Sequence, residues 1–262
     1  MVSGKDIRMS RILKDGKMLC IPMDHGISNG PIKGLENPQQ LLDTCQDKGL
    51  TSVIVNKGVL ASINSPLKIG TLLHLSASTS LSKYPNRKMI IGSAQEAVAM
   101  GADGVSLHIN IGGNEEPEML EQLGLMVEEC HKVSMPLLAM MYPRGENITD
   151  PHDPEIVAHV SRIGAECGAD IVKTVYTGDM DSFAKIVKST PVPIVVAGGP
   201  KTETDLELLQ MTYQIMRAGG AGVTYGRNIF AHEHPDRIVE ALADVIFHNR
   251  SPDEALNRIE QG

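Results

Sequence analysis

The feature that most constrains the fold of this 262-residue chain is a unit that returns four times: a helical segment, a glycine, then a short apolar strand. It reads Gly49-Leu-Thr-Ser-Val-Ile-Val, Gly101-Ala-Asp-Gly-Val-Ser-Leu, Gly168-Ala-Asp-Ile-Val-Lys-Thr and Gly220-Ala-Gly-Val-Thr-Tyr. The glycine supplies the left-handed turn that closes a helix. A strand that is apolar on both faces suits a parallel sheet buried between a core and a helix layer. Strand segments are expected at 18–24, 52–56, 71–75, 104–109, 136–141, 170–174, 193–197 and 222–225. That count, with helices between, predicts an α/β (β/α)8 barrel (a TIM barrel): a parallel eight-stranded barrel with outer helices, one domain over 1–262. An open doubly wound sheet is the runner-up, and the GxGxxG turn of its nucleotide-binding forms is missing.

Local signals mark the helix starts. Ser93-Ala-Gln-Glu96 and Ser251-Pro-Asp-Glu254 are capping boxes, Asp153-Pro154 can open a helix that runs to Cys167, and Thr202-Glu-Thr-Asp205 can open one that runs to Ala218. A further apolar patch at 88–91 is either an extra strand or a lead-in to the Ser93 helix.

Charge then narrows the partners. With 24 Lys and Arg against 32 Asp and Glu, the net charge of −8 argues against nucleic acid and anionic membranes, which need a basic footprint. A small phosphorylated substrate needs only a local cluster of donors, so it stays open. No apolar stretch is long enough to cross a membrane and the start of the chain does not read as a signal peptide, so a cytoplasmic protein is expected. The scattered cysteines, Cys20, Cys45, Cys130 and Cys167, read as buried thiols. The 14 Met residues read as core filling, and the few aromatics offer no platform for stacking bases.

In a (β/α)8 barrel the chemistry lies at the C-terminal ends of the strands. After the first strand comes Asp24-His25-Gly26-Ile27-Ser28, a polar turn that serves a site or merely caps backbone. After the fifth comes Tyr142-Pro143-Arg144, an acid and a cation at one rim. The sixth strand carries Lys173, on the face of Ile171. Either Lys173 points into the barrel, where burial lowers its pKa and frees a nucleophilic amine, or the strand ends early and it reaches solvent. Neighbouring strands would set Tyr142 and Lys173 before the same substrate. After the seventh and eighth strands come Gly198-Gly199 and Gly226-Arg227, a phosphate cradle of exposed N–H groups beside a cation. His74 and His108 near strand ends could ligate zinc or be hydrogen-bonded wall, His232-Glu-His234 is more simply a solvated loop, and Asn56-Lys57 is a rim contact without assigned role.

Taken together, Pro22-Met-Asp24-His25-Gly26, Met141-Tyr142-Pro143-Arg144-Gly145, Ile171-Val-Lys173-Thr and Ala197-Gly198-Gly199-Pro200-Lys201 resemble the archaeal-type class I aldolase family, over essentially the whole chain. Within it, the loop from Asp24 through Ser28-Asn-Gly-Pro-Ile-Lys-Gly34 is most similar to the branch that builds an aminodideoxyheptulosonate; Ala197, where fructose-bisphosphate aldolases can offer a hydroxyl, points the same way. The resemblance implies a transaldolase-like transfer of three carbons from 6-deoxy-5-ketofructose 1-phosphate to L-aspartate semialdehyde, on an alternative early route to shikimate and the aromatic amino acids. It implies Lys173 as the Schiff-base lysine, Tyr142 as proton donor and Asp24 as acid/base. The sugar-phosphate site would be lined by His25, Gly26, Ile27, Ser28, Pro143, Arg144, Gly198, Gly199, Gly226 and Arg227. It implies no metal and no cofactor beyond the covalent imine, small-molecule sugar phosphate and aldehyde partners, and a homo-oligomer, often a decamer. A fructose-bisphosphate or other dihydroxyacetone-phosphate aldolase is the close alternative.

Overall fold

A computed structural model describes residues 2–260 of the chain. Ten strands form: β1 Met18–Pro22, β2 Ser52–Val55, β3 Gly70–His74, β4 Ser76–Ala77, β5 Met89–Ile90, β6 Gly104–Ile111, β7 Leu137–Pro143, β8 Ile171–Thr174, β9 Ile194–Ala197 and β10 Gly222–Thr224. Eight of them close a parallel barrel in the order β1-β10-β9-β8-β7-β6-β3-β2. All eight expected strands are present, and the 88–91 patch resolves into β5, which pairs antiparallel with β4 as a two-stranded ribbon outside the barrel.

The repeated glycines do what their spacing requires at three of the four positions. Gly49, Gly101 and Gly168 have φ of 104°, 77° and 99°. In the fourth unit the left-handed residue is Gly219, at φ 90°, one place before the glycine read from sequence. The start signals hold with two adjustments. Asp153 accepts from the Glu155 and Ile156 amides, and Ser251 and Glu254 cap one another. Thr204 and Glu207 form the capping box of the Asp205–Arg217 helix. Ser93 accepts from the Glu96 amide, but the Glu96 carboxylate turns to Lys57 at 3.1 Å.

Strand side chains alternate between two layers. The outward set, such as Val53, Val105, Val172 and Val196, is buried against the helices. The inward set, Met18, Cys20, Ile54, Leu72, Leu138, Met140, Ile171 and Val195, fills the barrel together with Ile12. Ile12 ends the Gly4–Ile12 helix, which closes the floor. Glycines at the strand starts make room for it: a Cβ on Gly70 would stand 2.5 Å from the Arg11 carbonyl oxygen, and one on Gly104 would stand 2.9 Å from Ile12 Cδ1. Each fully buried Leu or Ile in this layer contributes about 1.5–3 kcal/mol. Cys20, Cys45 and Cys130 are buried and Cys167 is half-buried, all as free thiols. No helix among the described residues is long and apolar enough to cross a membrane.

Candidate active site

A cavity of about 400 Å³ opens at the C-terminal ends of the barrel strands. Lys173 is its centre. It follows Ile171 by two residues on β8, so both point inward, and Lys173 is 5% exposed with Nζ 3.9 Å from Met140 Sδ. The inward reading is therefore the one realised. Tyr142 comes from β7, the neighbouring strand, and interacts with the Lys173 amine. Its ring leans on His108, centroids 4.8 Å apart, and the Arg144 guanidinium sits 5.6 Å from its centroid.

Asp24 closes the triangle from β1. It caps no backbone amide, and its Oδ1 is buried without a hydrogen-bond partner. Its backbone is held instead: Asn56, at the end of β2, donates from Nδ2 to the Asp24 carbonyl at 3.1 Å. Its carboxylate lies 3.8 Å from His74 Nε2 and 3.7 Å from His25 Nδ1. Burial opposes the Asp24 charge, but His74, His25 and Lys173 outweigh it and hold the carboxyl down at about 2. Asp24 is thus an ion aimed into the cavity with an open lone pair.

The expectation of a free Lys173 amine from burial alone does not hold. Burial disfavours the ammonium, yet Tyr142, Asp24 and Cys20 oppose it and carry the net direction upward. The resting group is an ammonium among acceptors, and a proton must move to a neighbour before the amine attacks a carbonyl. His25 and His74 are pushed down, first by burial, and His108 well down for the same reason, so their rings are neutral at pH 7.

The glycine loops after β9 and β10 meet beside Lys173. Gly198, Gly199 and Gly226 line the cavity, with Arg227 donating to the Gly199 carbonyl at 2.8 Å and Asn228 to the Gly198 carbonyl at 3.2 Å. Side chains would not fit here: a Cβ on Gly226 would stand 2.8 Å from the His25 ring, and one on Gly198 would stand 2.8 Å from Tyr225. Ser28 ties the loop after β1 to the ribbon by donating to the Ser78 carbonyl at 3.0 Å.

Lys173, Tyr142, Asp24, His25, Ser28, Arg144, Gly198, Gly199, Gly226 and Arg227 all line this one cavity. Gly26, Ile27 and Pro143 do not. Pro143 follows Tyr142 on a strand, so it faces the other way and is buried. Gly26 borders an adjoining hollow with Pro31 and Pro38, and Ile27 reaches only a small recess beside His74. Lys57 also stands apart, bonded to the Ile91 carbonyl at 2.7 Å and to Glu96. The structure adds Lys88, His108, Asn86 and the 78–80 segment, all carried by the β3–β6 connection or β6.

Among the described residues no three His, Cys, Asp or Glu converge on a point where a metal would sit. His74 bonds Ser106 at 2.9 Å, His108 bonds Asn110 at 2.8 Å, and His232 bonds Asp205 at 3.2 Å. The zinc reading of His74 and His108 therefore lacks a third ligand, and both rings serve as hydrogen-bonded wall.

Comparison with known proteins gives the family and the fold. Residues 18–232 match the family model of the DeoC/LacD aldolases. The 2-amino-3,7-dideoxy-D-threo-hept-6-ulosonate synthase 1 of Archaeoglobus fulgidus is 43% identical over 97% of this chain and 95% of its own. The 2-amino-4,5-dihydroxy-6-oxo-7-(phosphonooxy)heptanoate synthase of Streptomyces griseus is 36% identical over 89% of this chain and 85% of its own. An archaeal fructose-1,6-bisphosphate aldolase, solved with its catalytic lysine covalently bound to the carbinolamine intermediate, superposes with a TM-score of 0.85. It is 30% identical, and the match covers 93% of this chain and 99% of that one. On the family match and the near full-length identity, this chain belongs to the DeoC/LacD family of aldolases.

Proposed function

We propose that the chain is a lysine-dependent synthase that moves a three-carbon unit from 6-deoxy-5-ketofructose 1-phosphate to L-aspartate semialdehyde, giving 2-amino-3,7-dideoxy-D-threo-hept-6-ulosonate. The observation that carries the reading is the inward Lys173, flanked by Tyr142 and Asp24 over a cavity of about 400 Å³. The 43% identity to the Archaeoglobus synthase supports the choice of substrates.

In this reading the Lys173 ammonium gives a proton to Asp24, and its free amine adds to the donor ketone. The carbinolamine loses water with a proton from Tyr142, and Asp24 returns its proton to the Tyr142 oxygen, leaving an iminium beside an ionised Asp24. A hydroxyl proton of the donor passes to Asp24 as the carbon–carbon bond breaks, and the electron pair is stored as an enamine on Lys173. The first aldehyde leaves. The enamine carbon then attacks the entering aldehyde, whose oxygen takes up the proton, and water releases the product from Lys173. The iminium is itself the electron sink, so the chemistry calls for no metal or cofactor. His25, Ser28, Arg144, Gly198, Gly199, Gly226 and Arg227 line the sugar-phosphate site and keep the reacting carbons aligned. The proposal also takes the barrel as the whole catalytic domain and homo-oligomeric assembly as its working state, which sedimentation velocity tests.

A second reading has a specific observation behind it. The glycine cradle and Arg227 adjoin β8, the strand of Lys173, which suits a phosphate on the fragment attached to the lysine. A dihydroxyacetone phosphate unit is such a fragment, and the Streptomyces relative is named for a product that keeps its phosphate. Borohydride reduction in the presence of the donor, followed by peptide mass spectrometry, tests both. A reduced three-carbon adduct on Lys173 without phosphorus supports the first reading. The same adduct carrying a phosphate supports the second, and no adduct on Lys173 overturns both.

A further inference from the structure

The cavity has an imbalance of charge. Lys88, Arg144, Lys173 and Arg227 line it, against Asp24 as the one carboxylate on its wall, in a chain of net charge −8. Arg227 belongs to the glycine loops, and Lys173 and Asp24 face one another. That leaves Lys88 and Arg144.

Lys88 is 7% exposed and lies just before β5. Its Nζ donates to Ser78 Oγ at 2.5 Å and to the Pro85 carbonyl at 3.3 Å, which occupies two of its three protons. No carboxylate comes within ion-pair distance of it or of the Arg144 guanidinium among the described residues. Burial and the Arg144 charge both press on the Lys88 ammonium, with Asp24 as the weaker offset. A buried cation held open in this way is costly unless an anion arrives.

Its place in the ring is informative. The β4–β5 ribbon stands over the gap between β3 and β6. In the closed order that gap is diametrically opposite the gap between β9 and β10, where the glycine loops and Arg227 lie. Lys173 and Asp24 sit between the two poles. An aldol reaction has two partners: one is held covalently by the lysine, and the aldehyde is held only by contacts.

We propose that Lys88 and Arg144 form a second anion subsite, across the mouth from the glycine loops, that holds the anionic tail of the aldehyde partner. For the entering aldehyde that tail is a carboxylate. When the donor's imine forms beside its methyl group, the leaving aldehyde carries the phosphate, and its tail occupies the same subsite first. The assignment rests on the aldol reading above. It adds a residue, Lys88, and predicts that charged aldehydes are preferred to neutral ones of equal length.

The test is steady-state kinetics of Lys88→Gln and Lys88→Arg, with Lys173 adduct formation by borohydride as the control. At saturating donor, Lys88→Gln is expected to form the adduct and to raise KM for L-aspartate semialdehyde by about tenfold, the worth of one charge-assisted contact. KM for butanal, which has no charged tail, is expected to stay unchanged, and Lys88→Arg to recover most of the loss. Should Lys88→Gln fail to fold, exposed Arg144→Gln is read by the ratio of KM for L-aspartate semialdehyde to KM for butanal alone, since Arg144 also flanks the Tyr142 ring. An adduct-forming variant with unchanged KM for aspartate semialdehyde, or with equal losses for butanal, overturns the subsite and leaves the aldol reading standing. Absence of any adduct in the unsubstituted enzyme overturns the aldol reading, and the subsite with it.

Discussion

The two ends of the barrel are built from the same eight strands and solve opposite problems. At the floor, Ile12, Met18, Leu72, Leu138 and Ile171 are at most 1% exposed and pack with one another. At the mouth, two to six residues further along the chain, the inward positions become Lys173, Tyr142 and the Asp24 loop. The buried side-chain atoms that find no hydrogen-bond partner among the described residues are Asp24 Oδ1, His25 Nδ1, Asn56 Oδ1 and Thr174 Oγ1, all at C-terminal strand ends. A buried polar atom without a partner costs about 1–3 kcal/mol. The floor therefore supplies the stability that lets the mouth keep unsatisfied groups facing a substrate.

That contrast can be broken at either end. Lys173→Met should abolish turnover, by at least about 10⁴-fold as for other covalent nucleophiles, and should cost some stability near neutral pH because Asp24 loses a charge partner. Turnover within tenfold of the parent would mean that Lys173 is structural. Leu72→Ala at the floor should do the reverse. It should cost about 2–5 kcal/mol in denaturant unfolding, with the folded fraction still forming the Lys173 adduct. A smaller, sharper effect is expected from Asp24→Asn. Asp24 favours the Lys173 ammonium, so its neutralisation should move the pH midpoint of Lys173 acylation, followed by peptide mass spectrometry, to lower pH. A midpoint that stays or rises removes Asp24 as the charge partner. The stability side has its own sign. A carboxyl held at about 2 adds stability that is complete above its unfolded value of about 4 and fades as the pH falls from there towards 2. The gap between parent and Asp24→Asn should therefore close only in that acidic window.

Sequence and structure agree most where physics is local and periodic. Glycine after helix and apolar strand after glycine are short-range patterns, so all eight barrel strands were legible, and with them the rule that loops after strands bear the chemistry. Lys173 needed only the two-residue alternation from Ile171. What escaped lies where no short pattern exists. Lys88 belongs to a long connection whose two strands are two residues each, too short to show a period, and a lysine there reads as surface. Pro143 enters through the family resemblance, and strand alternation turns it away from the cavity. The direction of the Lys173 charge differs from expectation for a related reason: burial is legible in an apolar strand, whereas Tyr142 and Asp24 arrive from elements 31 and 149 positions earlier in the chain.

The helix that seals the floor, Gly4–Ile12, gives the reaction chamber a single door. On the proposed reading, the first aldehyde departs and the second enters through the opening above Lys173 while the three-carbon fragment waits on its tether. Throughout that exchange water can use the same door. Whether the protein behaves as a transferase or drifts toward simple cleavage is then a race between protonation of the waiting fragment and arrival of the next aldehyde, so the traffic rule at the entrance, as much as the chemistry beneath it, determines what leaves.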